Sequence, residues 1–262
     1  MTDPLVTVAL PVYNGGRFLA QTLRSVLAQS LRDFELLIVL DGCTDDSAGI
    51  VDQLRDERFV VIHKPQNEGL VRALNLVHER ASAPLIARVD QDDVDEPQRL
   101  ARQVEFLKAH PEVDVLGTRF DYIDEEGNPA GRPRGFPLSH YRIRRDFQRY
   151  TPIGGPTCMY RLDRILAAGG YREEFNYIED VSLWLACLAR GYRFANLPEI
   201  LVHYRVHDSQ SSTSNRERML PERRRAYEMY GPRIWGKRAR PLESKEPKLA
   251  RLRRKIEDWF IP

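Results

Sequence analysis

Leu85-Ile86-Ala87-Arg88-Val89-Asp90-Gln91-Asp92-Asp93 runs from a strand-like apolar segment into three carboxylates packed within four positions. Side chains alternate across a strand, so Asp90 and Asp92 are expected on the same side of its end. Two carboxylates aimed at one point repel each other unless a cation or a shared proton relieves them. A hard divalent ion with oxygen ligands is the natural relief, and such ions commonly bring phosphates with them. The plainer alternative is a surface acidic turn ahead of a helix starting near Pro97, because acidic side chains favour a helix N-terminus.

Upstream of this stretch the chain alternates strand and helix signals. Residues 5–12 are β-rich and end at the turn Tyr13-Asn14-Gly15-Gly16, after which Phe18, Leu19, Thr22, Leu23, Val26 and Leu27 keep a helical stripe. Residues 34–40 form an apolar run broken only by Glu35, as a parallel strand covered on both faces requires, and the run ends at Asp41-Gly42. A helix over 47–54, a strand over 59–63, a helix over 69–80 and the strand over 85–89 follow, then a helix marked by Leu100, Val104 and Leu107. This rhythm predicts an α/β fold with a largely parallel open sheet and helices on both faces. Ligands of such sheets bind beyond the carboxyl ends of the strands, which is where Tyr13-Asn14, Asp41 and residues 90–93 fall.

The second half is less regular. Residues 113–117 and 119–123 read as two strands, and 133–156, rich in Pro, Gly and aromatics, as an irregular loop. A helix begun by Glu179-Asp180 carries Val181, Trp184, Leu185 and Leu188 on one face, and 201–206 is a last strand.

The 262 residues suffice for one large α/β domain with a sizeable core, here taken as 1–215. Net charge is only +2 but unevenly spread: residues 216–262 hold 15 Lys/Arg against 7 Asp/Glu, leaving the first 215 net acidic. That asymmetry marks 216–262 as a basic, helical C-terminal extension with its own role. Apolar runs such as Leu36-Leu37-Ile38-Val39-Leu40 are far short of the ~20 residues a membrane span needs. With no secretory signature at the start, and Cys43, Cys158 and Cys187 in no metal or redox spacing, a soluble cytoplasmic protein is expected.

Several short motifs, in order and at matching spacing over residues 5–210, resemble the family 2 inverting glycosyltransferases of the nucleotide-sugar-binding GT-A fold. They are Pro11-Val12-Tyr13-Asn14, Asp41-Gly42-Cys43-Thr44-Asp45, Asn67-Glu68-Gly69 through Ala73-Leu74-Asn75, and Asp90-Gln91-Asp92-Asp93. Gly169-Gly170-Tyr171, Glu179-Asp180 with Leu183-Trp184-Leu185, and Tyr204-Arg205-Val206-His207 complete the set. Two positions depart from the family pattern, Leu40 for an Asp and Cys43 for a Ser, while Asp41 is retained.

The resemblance implies transfer of a hexose or hexosamine, from a UDP-sugar, through an oxocarbenium-like transition state. A divalent ion, Mn²⁺ or Mg²⁺, would neutralise the departing diphosphate as a Lewis acid. Asp92 is implied as its ligand, with Asp90 on ribose or metal, Asp93 assisting, and His207 either completing the site or lying on the surface beside Asp208. Asp180 matches the family's general base, against its alternative as a first-turn helix acid, and Glu179 would orient the acceptor or face solvent. Asp41 would accept a hydrogen bond from the base, with Pro11, Tyr13 and Asn14 lining the nucleoside pocket. Arg72 and Arg88 would meet diphosphate oxygens or form surface salt bridges, and Gly69 would allow close backbone approach or start a helix.

The acceptor implied is a saccharide, free or lipid-linked. In the tail, Leu249, Leu252, Ile256, Trp259 and Phe260 make a helical stripe flanked by Lys248, Arg251, Arg253, Arg254 and Lys255. Such a segment either lies peripherally on the inner face of a membrane, where each basic residue adds about 1 kcal/mol, or docks on the domain or a second subunit. A nucleotidyltransferase of related fold would want a Gly-rich basic loop after the first strand, where Tyr13-Asn14-Gly15-Gly16-Arg17 has one Arg. A nucleic-acid-binding role for the tail sits poorly with the acidic main domain, so no nucleic-acid partner is expected.

Overall fold

A parallel strand covered on both faces needs apolar side chains at every position, and β1 (Val6–Val12) is buried throughout. In β2 (Phe34–Asp41) the alternation is explicit. Leu37 and Val39 enter one apolar cluster, and Leu36, Ile38 and Leu40 enter the other, on the opposite face of the sheet. The computed structural model describes residues 4–133, 135–208, 210 and 216–239. The further strands are β3 (Phe59–Lys64), β4 (Leu85–Arg88), β5 (Val94–Asp95), β6 (Val115–Ile123), β7 (Pro129–Gly131), β8 (Met159–Arg161) and β9 (Phe194–Arg205). They form one mixed sheet in the order β3-β2-β1-β4-β8-β6-β9-β5, with β7 paired to β6. β3, β2, β1 and β4 run parallel, β8 is antiparallel to both β4 and β6, and β6 and β9 are parallel again.

Helices α1 (Leu19–Leu27), α2 (Ser47–Gln53) and α4 (Arg99–Ala109) cover one face. α3 (Leu70–Arg80), α6 (Leu162–Ala168) and α7 (Glu179–Ala189) cover the other, with Trp184 fully buried among them. The helices on both faces, and the parallel sheet of the first half, are thus as the sequence predicts.

The second half differs. Residues 115–123 form one strand, not two, because β6 pairs with β9 along its whole length; register shifts beside Arg119 take up the surplus residues where Pro198 cannot donate to the ladder. Residues 133–156 are not all loop: α5 (His140–Asp146) buries Ile143, and Phe147 behind it is also enclosed. The last helix, α8 (Arg216–Trp235), sets Ala226, Tyr227, Tyr230 and Ile234 into the same apolar cluster as Trp184. The stripe from Leu249 to Phe260 lies outside the described residues.

Candidate active site

β4 ends at Arg88, one residue earlier than the apolar pattern suggests, and residues 90–93 turn away from the strand. Asp90 and Asp92 therefore do not stay on one face. Arg88, buried to 3% exposure, donates from Nε to Asp90 Oδ1 at 3.1 Å and pairs through Nη2 with Glu179 Oε1 at 3.1 Å. Glu179 is the first residue of α7, so this guanidinium locks the end of β4 to the start of α7. Burial alone would lower the Arg88 pKa, but the charges of Asp90 and Glu179 override it and hold the group well above its ordinary range. Glu179 does not face solvent; it is buried and paired with Arg88.

Burial pushes the Glu179 carboxyl up from 4.5 to about 7, with Arg88 opposing and Asp180 adding to the rise. Between these values the folded protein keeps a proton that the unfolded chain has released. Stability is therefore lost as pH rises through the window, by about 3 kcal/mol in all. Glu179→Gln should flatten the dependence of Tm on pH between 4.5 and about 7; slopes equal to the parent's would place that titration elsewhere.

Of the four residues expected round a metal, only two meet. His207 Nε2 lies 2.8 Å from Asp92 Oδ2, with both side chains largely enclosed. Asp90 is turned to Arg88, and Asp93 Oδ1 accepts the backbone N–H of Arg205 at 3.0 Å. No group of three or more His, Cys, Asp or Glu side chains converges as a metal cage among the described residues. Local turn geometry is the reason, since a strand's alternation ends where the strand does. Burial raises the carboxyls of Asp90 and Asp93, and the charge of Asp92 raises both further; Arg88 opposes this at Asp90. Among the described residues, Asp93 Oδ2 is buried without a hydrogen-bond partner. The edge therefore carries surplus negative charge, and one carboxylate plus one imidazole is a donor set that fits a divalent ion whose remaining ligands are phosphate oxygens and water.

Arg205 braces this edge. Fully buried, it donates from Nε to the Asp92 carbonyl at 2.9 Å, from Nη1 to that of Asp124 at 2.7 Å, and from Nη2 to Gln21 Oε1 at 2.6 Å. Its guanidinium stacks on Phe18, whose ring also lies 4.9 Å from that of His207. Gln91 clamps the end of β1 at two points, accepting from Tyr13 N at 2.8 Å and donating to Tyr13 O at 3.2 Å. Nothing in the sequence singled out Gln91 or the anchoring use of Arg205, because the partners of each lie far away in the chain.

On the β1–β2 side, Pro11 is buried within β1 and Tyr13 is 46% exposed beyond it. Asn14 takes a left-handed φ of 51° and accepts from Thr44 N at 2.8 Å. Asp41 is not an outward acceptor: its oxygens meet Lys64 Nζ at 2.7 Å, Glu68 N at 3.1 Å and Gly69 N at 2.8 Å. It ties β2 to the start of α3. Gly69 is required there by its φ of 93° rather than by close approach, since an added Cβ would meet no atom within 4 Å. Arg72 points to Glu173 at 3.0 Å on exposed surface, away from the acidic edge. Gly169 and Gly170 end α6 in left-handed backbone.

Asp180 is the second residue of α7 and accepts from Val181 N at 2.6 Å through Oδ1. Its Oδ2 packs on Gly155, an unforeseen participant: a Cβ there would sit 2.9 Å from both Asp180 Oδ2 and Arg88 Nη1. Gly155→Ala should therefore displace both charged groups. We expect transfer to fall about 10²-fold, the usual cost of a misplacement near 1 Å, with about 1–3 kcal/mol of stability lost to overpacking. Steady-state rates and thermal melts read the two effects separately.

The model of the glycosyl transferase family 2 matches residues 7–168. The amylovoran biosynthesis glycosyltransferase AmsE of Erwinia amylovora is 31% identical over 206 residues, 77% of this chain and 76% of that protein. The O-antigen biosynthesis glycosyltransferase WbnJ of Escherichia coli is 31% identical over 216 residues, 80% of this chain and 83% of that one. In fold, the chain is similar to residues 1–349 of S. aureus TarS, solved with UDP-GlcNAc, at a TM-score of 0.68 and 21% identity over 80% of this chain; it spans 60% of that one. It is also similar to the mannosyltransferase PcManGT of Pyrobaculum calidifontis, solved with GDP-Man and Mn²⁺, at 0.65 and 19% identity, covering 98% of this chain and 70% of that one. With its motifs on the edge of a GT-A sheet, this chain belongs to glycosyl transferase family 2 and is a glycosyltransferase.

Proposed function

We propose that this glycosyltransferase works with inversion, moving a sugar from a UDP-sugar to a hydroxyl of a saccharide acceptor in the synthesis of a cell-surface polysaccharide or glycan. One observation supports the reading: Arg88 joins Asp90 to Glu179, the neighbour of Asp180, and Asp92, two residues from Asp90, meets His207. Asp180 as base and Asp92 with His207 as a cation-ready pair would then serve single displacement at an anomeric carbon. The relatives' roles in amylovoran and O-antigen synthesis support the pathway class, and the UDP-GlcNAc complex of TarS supports the nucleotide.

Asp92 and His207 would hold a divalent ion, and the imidazole donor suits Mn²⁺ better than Mg²⁺. Bound there, the ion supplies Lewis-acid neutralisation of the departing diphosphate. Tyr13, exposed beside Pro11 and Asn14, offers a face for the base. Asp180 takes the proton of the acceptor hydroxyl as its oxygen bonds to the anomeric carbon and the bond to the diphosphate breaks. A lipid-linked acceptor would put the enzyme at the inner face of a membrane, peripherally, since no described helix is long and apolar enough to cross one.

A thermal-shift screen of UDP- and GDP-sugars, with Mn²⁺ or with chelator, tests this. At about 100 times Kd a ligand adds about 2.7 kcal/mol, so Tm should rise with a UDP-sugar plus Mn²⁺ and little with either alone. Asp92→Ala should abolish the metal-dependent part. A shift insensitive to chelator would remove the metal, and a shift with GDP-sugars alone would replace the nucleotide.

A further inference from the structure

Where β6 and β9 change register, Arg119 and Phe120, adjacent in sequence, both face one cavity of about 210 Å³. Such irregularities re-aim side chains that a regular strand would send to opposite faces. Arg132, Pro133, Phe136 and Pro198 are among the residues of its wall, and no carboxylate lines it among the described residues. Glu199, the acid next to Pro198, is not among the lining residues and pairs through Oε1 with Arg102 at 2.8 Å. The Arg119 Nε is buried and finds no hydrogen-bond partner among the described residues. Two guanidiniums with no acid beside them, one carrying an unsatisfied buried donor, form a receptor for an anion. The aromatic side, Phe120 against Phe136 with ring centres 5.4 Å apart, offers apolar faces to the C–H groups of a ring. The volume is below the about 300–1,000 Å³ of drug-sized sites and suits a single sugar unit.

The cavity also has a position relative to the chemistry. Gly154 and Gly155 are consecutive; a Cβ on the first would lie 3.4 Å from the Phe120 ring and one on the second 2.9 Å from Asp180 Oδ2. Phe120 and the Asp180 carboxylate thus pack on neighbouring residues of the same turn. Tyr13 and Asn14 are at the β1–β2 end of the sheet, and β6 and β9 lie on the other side of β4 and β8. The cavity is therefore on the side of Asp180 away from the nucleoside.

We infer that this cavity is an acceptor subsite for a sugar unit bearing an anionic group, a carboxylate or a phosphate, held by Arg119 and Arg132 with its ring against Phe120 and Phe136. This rests on the transferase reading above, and goes beyond it in naming the charge class of the acceptor.

Ligand-observed saturation-transfer NMR on the full chain, with UDP and Mn²⁺ present, tests the site using methyl β-glucuronide, glucose 6-phosphate and neutral methyl β-glucoside. At least one anionic probe should bind about ten-fold or more tightly than the glucoside, as expected for one charge-assisted contact. Which of the two binds tells carboxylate from phosphate. Arg119→Gln and the exposed Arg132→Gln should each remove that preference while the UDP–Mn²⁺ thermal shift stays as in the parent, which also shows that each variant folds. Equal binding of all three probes, no binding of either anion, or a preference that survives both substitutions would overturn the subsite. If the parent itself shows no UDP–Mn²⁺ shift, the donor reading fails first, and the two failures are told apart.

Discussion

Asp180→Asn is expected to lower sugar transfer by about 10²–10⁴-fold, the range a positioned general base contributes, while leaving donor affinity intact. Asparagine keeps the shape of the side chain and an acceptor oxygen for Val181 N, but takes no proton at neutral pH. Asp92 and His207 pair with each other, and Arg88 pairs with Asp90 and Glu179, so neither arrangement needs the lost charge. Product formation followed by mass spectrometry, beside calorimetric titration of the donor, separates the two quantities. Turnover within a few-fold of the parent would remove Asp180 from the mechanism, and donor binding lost in parallel would make it a structural acid.

The largest loss of stability should come from Arg99→Met. Arg99 is fully buried at the start of α4, with Nη1 at 2.6 and 2.8 Å from the two oxygens of Asp95 and Nη2 at 2.7 Å from the carbonyl of Arg88. It thereby carries the frame of α4 to the residue that joins β4 to α7. Removing one partner of a buried pair strands the other, at a cost of about 3–5 kcal/mol. At about 2–4 °C per kcal/mol for a chain near this size, Tm should fall by about 10 °C. Burial already raises the Asp95 carboxyl while Arg99 holds it down, so without Arg99 its pKa climbs further. The stranded acid is relieved by a proton at low pH, so the deficit against the parent should shrink as pH falls. Pairing the change with Asp95→Leu should recover much of the loss, and a double-mutant cycle gives the coupling. Additive losses would show that the pair is not the unit.

Much of the fold was legible because parallel strands write themselves plainly. The run 36–40 needs to be apolar at every position, and it is. β5 and β8, of two and three residues, are too short to show a period, and α5 hides among Pro and Gly with Ile143 as its main buried anchor. In the site, the residue types at Asp90, Asp92 and Asp180 were readable, but their partners were not. Asp92 meets His207 across 115 positions, and Arg88 reaches Glu179 only because β4 and α7 meet in space. Asp41, Glu179 and Arg72 show the limit most clearly, each being a charge whose direction a linear pattern does not contain.

By itself the sequence determined the longer strands and helices of the first half, and that polar groups collect at the strands' carboxyl ends, because period and turn chemistry are local properties. Tertiary structure alone decided which of those polar groups face one another: Arg88 between Asp90 and Glu179, His207 on Asp92, Gly155 beneath Asp180. Such choices are made where strands end and register shifts, since there the alternation that ties residue number to direction no longer holds.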